Sequence, residues 1–276
     1  MRRSVQIPSL AAASAEPPAR AANKVTTRRR SRRRLCACAA AGAAPLVVAA
    51  QIALADRPQL QLRQFLQPFQ WAMIQGYHPS GYGVVRIPPE LHASLLQLLD
   101  NRDDAISFGG EGERLEDLII FGRSARYEIP PALQQRMRDE FHPILSRFCA
   151  CELDKHATVG GGGIRLYRQG ASLASHLDWA HKFVISATLN VKQADNRTRW
   201  PLHMRAFGGP STASHALTHA EGEAVLYEGS RMLHSRPVPL HDSYYAAAFV
   251  GFVPKRYPTG RHLLTRVFVG LVQRFG

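Results

Sequence analysis

The chain has 276 residues, 45% of them apolar, enough to bury the core of one large domain or two small ones, so disorder along its whole length is excluded. A formal charge of +14 would suit a nucleic-acid binder if it were spread over the fold. Ten Lys/Arg sit in residues 1–55 against Glu16 alone, leaving 25 basic and 20 acidic residues elsewhere, so no nucleic-acid partner is expected.

The first segment, "MRRSVQIPSLAAASAEPPARAANKVTTRRRSRRR", is rich in Arg, Ser and Ala and nearly free of acids, the composition of an organellar transit peptide. Leu35 to Ala55 follow without a charge and end in "ALA" before Asp56. Two readings are open. The run is long enough to span a bilayer, which would give membrane contact through 35–55 and a type II protein of the secretory pathway. It also has the form of a signal behind an arginine run, closed by a small-residue cleavage site. Alanine contributes little transfer energy and Pro45 interrupts the stretch, which favours cleavage. The tandem order resembles plastid precursors routed to the thylakoid lumen, so residues 1–55 are expected to be a targeting leader.

One domain is expected over residues 57–254. "YGVVRI" (Tyr82 to Ile87) reads as a strand, and "PPELHASLLQLLDNR" as a helix opened by Pro, with Leu91, Leu95, Leu98 and Leu99 at helical spacing. A second helix is predicted over Pro130 to Phe148, kinked or divided at Pro143. Cys149 and Cys151 fall at its end, two apart, where helical side chains diverge; with Cys36 and Cys38 in the leader, no disulfide framework is expected.

After "GGGG" at 160–163 the texture becomes short β-rich runs: "GIRLYRQG", "SLASHLD", "FVISATLNV", "WPLHMRAF", "EAVLYEG" and "YYAAAFVGFV". No repeat of 20 to 50 residues is visible, which excludes solenoids and propellers. The fold class expected is mainly β with flanking helices, a β-sandwich or jelly roll. Residues 255–276 read as an amphipathic helix with Leu263, Leu264, Val267, Phe268, Leu271, Val272 and Phe275 on one stripe, more suited to packing on the β-structure than to a membrane surface.

The chemistry concentrates in "SHLDWAH". Strand positions i and i+2 share a face, so His176 and Asp178 would project together while Leu177 turns the other way. One more imidazole from a neighbouring strand would complete a facial two-histidine, one-carboxylate set with open coordination positions, and His234 is placed to supply it. Alone, H-x-D is weak, because many such pairs are solvated. His181 is odd-spaced from Asp178 and falls at a turn; His203, His215 and His219 read as structural or exposed, and His241 as a weaker candidate near the cosubstrate. The glycine run lacks the G-x-x-x-x-G-K-[ST] ending of a phosphate loop.

The surroundings strengthen the pair. "GIRLYRQGASLASHLD", "VISATLNV" and "GEAVLYEGSRMLHSRPVP...YYAAAFVGFVP" together resemble the iron(II)/2-oxoglutarate dioxygenases, in particular the prolyl 4-hydroxylase-like group. The resemblance covers roughly residues 80 to 254 and is strongest from Ile164 to Pro254. It implies a double-stranded β-helix, the jelly roll of the cupin-like proteins, with Fe(2+) held by His176, Asp178 and His234, and Tyr167 helping to hold the distal carboxylate of 2-oxoglutarate. It also implies use of O2, release of succinate and CO2 on hydroxylation of a C–H bond, peptidyl proline among the substrates, and ascorbate as a reductant.

One position departs from the pattern. The group's lysine about ten residues beyond the distal His is here occupied by Tyr244, with Ser243 before it. A buried dicarboxylate needs a cation, and Arg236 or Arg165 is expected to provide it. Asn190, Trp179 and Tyr227 are further pocket candidates, with core packing favoured for Tyr227, and loops 193–199 and 208–220 are candidates for the entrance. The substrate is either a protein or peptide residue or a free small molecule, since one fold serves many substrates. Two other classes remain: a non-catalytic jelly roll that binds a ligand or partner, and a Zn or Mn cupin-type metalloenzyme.

Overall fold

Alternating inward and outward side chains sort the β-rich half into two facing antiparallel sheets, seen here in a computed structural model of the chain. It describes residues 57–100, 117–156, 158–159, 163–194, 199–206 and 214–257, together with 263 and 267. The chain divides into two units, Met1–Ala50 and Gln51–Gly276, and every described residue belongs to the second. The expected leader therefore lies outside the described residues. So does most of the expected C-terminal helix, where Leu263 and Val267 are helical and exposed. Among the described residues no helix is long and apolar enough to cross a membrane.

Eight strands form the central motif: β5 (Gly163–Arg168), β6 (Ser172–His176), β7 (Ile185–Gln193), β8 (Leu202–Ala206), β9 (His215–Leu217), β10 (Glu223–Tyr227), β11 (Met232–Arg236) and β12 (Tyr244–Phe252). The order β10-β7-β12-β5 makes one sheet and β6-β11-β8-β9 the other. The chain crosses between the sheets at almost every connection, and this winding is the double-stranded β-helix, or jelly roll. β1 (Tyr82–Arg86) extends the first sheet beside β10, β3 (Ser124–Glu128) beside β5, and β4 (Thr158–Val159) pairs with β12; β2 (Ile120–Phe121) extends the second sheet beside β6.

The larger sheet is buried on both faces. Its outer side chains, among them Ile164, Leu166, Ile185, Leu189, Ala248 and Phe252, pack in one cluster with residues of two helices, α2 (Pro89–Asp100) and α3 (Pro131–Cys149). The helices contribute Leu91 and Leu95 from α2 and Met137, Phe141 and Leu145 from α3, at three- and four-residue spacing. Each such fully buried side chain contributes about 1.5–3 kcal/mol. α3 is continuous through Pro143 rather than divided there: loss of one backbone hydrogen bond is outweighed by the packed face on either side.

A third helix, α1 (Pro58–Ala72), is absent from the sequence expectations, for a physical reason. Its buried stripe is largely polar, running Leu60, Arg63, Gln67 and Gln70, while Phe65 and Phe69 are exposed, so apolar periodicity does not reveal it.

The expectation for Cys149 and Cys151 is corrected. They are joined in a disulfide, with Cα atoms 5.1 Å apart. α3 stops at Cys149 because Ala150 takes a left-handed conformation at φ 49°, and this reversal brings Cys151 back toward Cys149 instead of continuing the helical divergence.

Candidate metal centre

β6 and β11 lie side by side, and His176 and His234 are directly opposed in their register, with ring centroids 4.1 Å apart. Between His234 and Arg236 the ladder shifts, so three residues of β6 span two of β11. That bulge lets Leu173 and His176, three positions apart, both face the interior. On β11 the ordinary period of two points His234 and Arg236 into the same cavity. Asp178 lies just past the end of β6, and its backbone N–H donates to the Gly229 carbonyl at 2.8 Å.

Both imidazoles are nearly fully buried and are oriented by their own backbone. His176 Nδ1 meets the Ala174 carbonyl at 2.8 Å and His234 Nδ1 meets the Met232 carbonyl at 2.9 Å. A carbonyl only accepts, so each Nδ1 carries the proton and each Nε2 presents a lone pair. These Nε2 atoms lie 3.8 Å (His176) and 3.5 Å (His234) from Asp178 Oδ1. Two donors each about 2.1 Å from one ion lie at most about 4.2 Å apart, so both separations suit a shared metal. The described histidine, cysteine and acidic residues converge in this way only at His176, Asp178 and His234.

The charge state fits. Burial, followed by His234 and Arg63, pushes His176 well below the ordinary histidine value, so the ring is neutral. Burial alone would raise the Asp178 carboxyl, but His234, His176 and Arg63 outweigh it and hold it at about 2. Two imidazole nitrogens and one anion thus converge, a donor set that calls for a cation. Asp178 Oδ2 is occupied separately: Ser186 donates to it at 3.2 Å. An added Cβ at Gly229 would lie 2.3 Å from Asp178 Oδ2 and 2.5 Å from Ser186 Oγ, so only glycine admits this approach.

Several supporting residues carry little sequence signal. Arg63 donates to the Leu177 carbonyl at 2.8 Å and lies 4.2 Å over the Trp179 ring, and Gln70 donates to the Asp178 carbonyl at 2.8 Å. α1 thereby fixes the segment that carries Asp178. Tyr227 is not simply packed in the core: it lines the cavity, and burial together with Asp178, to which it is hydrogen-bonded, pushes its hydroxyl well up. Trp179 lines the cavity as expected, whereas Asn190 donates to Gln193 and to the His219 carbonyl and is not among the lining residues.

The cosubstrate candidates fall in one cavity. Tyr167, Arg165 and Arg236 all line the space that contains the triad. Tyr244 turns to the helix side, and Tyr245 faces inward at the level expected for the lysine, eleven positions past His234. Arg236 donates to the Tyr245 hydroxyl at 2.9 Å and to the Trp200 carbonyl, with its guanidinium 4.5 Å over the Trp200 ring. Tyr167 packs edge-on against Trp200 at 5.2 Å.

The other histidines separate clearly. His181 lies in the turn after Asp178, outside the triad, and His241 is exposed with its carbonyl bonded to Gln169. His215 opens β9 and is exposed, and His203 lies on β8. His219 is structural: it is buried, and the Tyr245 hydroxyl lies 2.8 Å from its Nε2. Burial, with the Arg236 and Arg199 charges, lowers it to about 3.

No family model matches the sequence, and neither does any curated protein. Solved structures do resemble the fold. A prolyl-4-hydroxylase of Pseudomonas putida is 16% identical over 63% of this chain and 93% of its own, with a TM-score of 0.47. A prolyl hydroxylase of Trichoplax adhaerens, solved with a hypoxia inducible factor oxygen degradation domain peptide fragment, is 10% identical over 74% and 96%, also at 0.47. HygX of Streptomyces hygroscopicus, solved with nickel, 2-oxoglutarate and hygromycin B, is 11% identical over 69% and 87%, at 0.45.

Proposed function

We propose that this chain is a non-haem iron(II)- and 2-oxoglutarate-dependent dioxygenase that hydroxylates a C–H bond. The observation that carries the reading is the donor set: two imidazoles whose Nδ1 protons are tied to backbone carbonyls, so that both Nε2 lone pairs meet the ionised Asp178. His176, Asp178 and His234 would hold Fe(2+) on one face and leave the remaining positions to 2-oxoglutarate and O2. When bound, the iron supplies oxidative decarboxylation of 2-oxoglutarate to succinate and CO2, coupled to insertion of one oxygen atom into the substrate.

The chain's own residues supply orientation and charge. Ser186 and Tyr227 hold Asp178 so that one oxygen remains directed at the histidines. Arg236, fixed between Trp200 and Tyr245, is the cation for the distal carboxylate, with Tyr167 beside it. A cation thus enters from β11 in place of the group's lysine on β12. This removes the argument that favoured a Zn or Mn cupin-type enzyme. A non-catalytic jelly roll is also disfavoured, because it leaves a half-buried carboxylate and two buried imidazoles converging without purpose. For the finer reading, peptidyl proline is the first substrate to try, with ascorbate as reductant, and free small molecules follow.

The test is succinate formation from 2-oxoglutarate with Fe(II) under air. Wild type should produce it and His176→Ala should not; equal production by both would sink the proposal.

A further inference from the structure

Cys151 lines a second cavity, about 460 Å³ in volume, that shares no lining residue with the metal cavity. Glu152, Lys255 and Arg256 form its exposed rim. The two cysteines of the disulfide are placed differently. Cys149, at the end of α3, is 2% exposed and does not line the cavity, while Cys151 is half-buried. A thiol arriving from solvent therefore meets Cys151 Sγ first, and access decides which sulfur of a disulfide is attacked.

Little holds the bond closed, and the opened pair is provided for. One residue separates the cysteines, so the ring restrains the unfolded chain only weakly. Cys149 Sγ lies 3.5 Å from the carbonyl oxygens of Ser146 and of Cys151, so a thiol at this position has acceptors in place. The Ser146 hydroxyl, one turn earlier on the same face of α3, is buried with no hydrogen-bond partner and can donate to a sulfur anion. The backbone is tied independently of the bond. The Cys151 N–H donates to the Ser146 carbonyl at 3.2 Å, the Asp154 N–H to the Val253 carbonyl at 2.8 Å and the Lys255 N–H to the Glu152 carbonyl at 2.7 Å. The sulfurs thus remain neighbours after opening, and the bond can reclose. Charge bears on the choice of thiol. Lys255 is bonded to Glu152, and Arg256 adds a second cation to the same rim, so two cations face one carboxylate among the residues lining the cavity.

We propose that Cys149 and Cys151 are a redox-active pair that exchanges with small thiols bearing a carboxylate, attacked at Cys151 from this cavity. The incoming thiolate forms a bond to Cys151 Sγ as the Cys149–Cys151 bond breaks; the electron pair goes to Cys149 Sγ, which takes a proton from water. A second thiolate attacks the sulfur of the bound thiol, releasing Cys151 as a thiolate together with the disulfide of the small thiol. The protein pair is reduced by two electrons and two small thiols are oxidised.

The test uses the full chain, folded and oxidised, with glutathione as the carboxylated thiol and cysteamine as a cationic one. Alkylation followed by peptide mapping keeps Cys149 and Cys151 distinct from Cys36 and Cys38. Glutathione should open the bond in wild type while the circular dichroism spectrum stays unchanged. With oxidised glutathione, Cys151 of Cys149→Ser should form a mixed disulfide at least about tenfold faster than Cys149 of Cys151→Ser. Arg256→Gln should slow exchange with glutathione about two- to fivefold, the range for an exposed charge pair, and leave cysteamine unslowed. A melting curve checks that each variant folds, and the wild-type arm needs no variant. Three results would overturn the proposal: a bond that withstands glutathione until the chain unfolds, Cys149 modified as fast as Cys151, or folded Arg256→Gln treating the two thiols as wild type does.

Discussion

The Arg236 guanidinium donates to the Tyr245 hydroxyl at 2.9 Å, and the same hydroxyl reaches His219 Nε2 at 2.8 Å. His219, lowered to about 3, is neutral at ordinary pH, and the two contacts link arginine, tyrosine and histidine in one buried chain. The arrangement holds a cation two residues after a proposed metal ligand, in a position defined by three elements, β11, β12 and the segment before β10. A guanidinium immobilised in this way loses little rotamer freedom when it takes a carboxylate.

Replacing Arg236 should therefore act on the cosubstrate. Arg236→Gln removes a charge-assisted bond worth about 1.5–3 kcal/mol, which corresponds to an increase of roughly ten- to a hundredfold in the KM for 2-oxoglutarate. Initial rates of succinate formation against 2-oxoglutarate concentration measure it. An unchanged KM in Arg236→Gln alongside a raised one in Arg165→Gln would transfer the role to Arg165.

Gly229 controls the carboxylate ligand from outside the triad. Gly229→Ala places a methyl 2.3 Å from Asp178 Oδ2, so the carboxylate must move or lose Ser186. The expected outcome is a loss of metal affinity of about 10- to 100-fold, the range for disturbed ligand support, with the melting temperature of the metal-free protein changed far less. Calorimetric titration with Mn(II) reads the first quantity and circular dichroism the second. Equal metal affinity in wild type and variant would contradict the geometry.

The sequence made the jelly roll legible because its strands alternate apolar and β-branched residues between turn signals, as in "FVISATLNV" and "YYAAAFVGFV". The spacing of His176 and Asp178 was legible for a related reason, although β6 ends at His176 and Asp178 is held by Gly229 rather than by the ladder. Three features were hidden. α1 buries polar side chains, so periodicity missed Arg63 and Gln70. The β6 bulge that turns Leu173 and His176 to one face depends on cross-strand register, which one strand does not reveal. The left-handed Ala150 that joins Cys149 to Cys151 is a conformation rare for any residue but glycine or asparagine.

The disulfide closes a very short loop, so its contribution through the unfolded chain is small, about 1.6 kcal/mol in the chain-entropy model. Cys149→Ser should lower stability by no more than about 2 kcal/mol in urea and leave 2-oxoglutarate turnover in place, because the cysteines lie on the helix side of the larger sheet and line no part of the metal cavity. Peptide mapping without reductant should recover Cys149 and Cys151 linked. Recovery of two free thiols would remove this bond from the fold.

His219 gives the fold a pH dependence whose sign follows from its burial. Burial first, then the charges of Arg236 and Arg199, lower it to about 3 in the folded chain, against about 6.5 when unfolded. Above about pH 6.5 both states hold it neutral and its contribution is constant. As the pH falls below that value the unfolded chain gains a proton that the folded chain refuses, and stability declines down to about pH 3 at up to about 1.4 kcal/mol per pH unit. Between pH 7 and pH 5 the loss from this group is about 2 kcal/mol. His219→Gln keeps a polar partner for Tyr245 and removes the titration, while every other ionisable group remains in both proteins. The difference in urea unfolding free energy between wild type and His219→Gln should thus shift by about 2 kcal/mol across that interval, to the disadvantage of wild type at pH 5. Parallel pH profiles for the two proteins would show that His219 is solvated and that the hydroxyl of Tyr245 is not anchored by it.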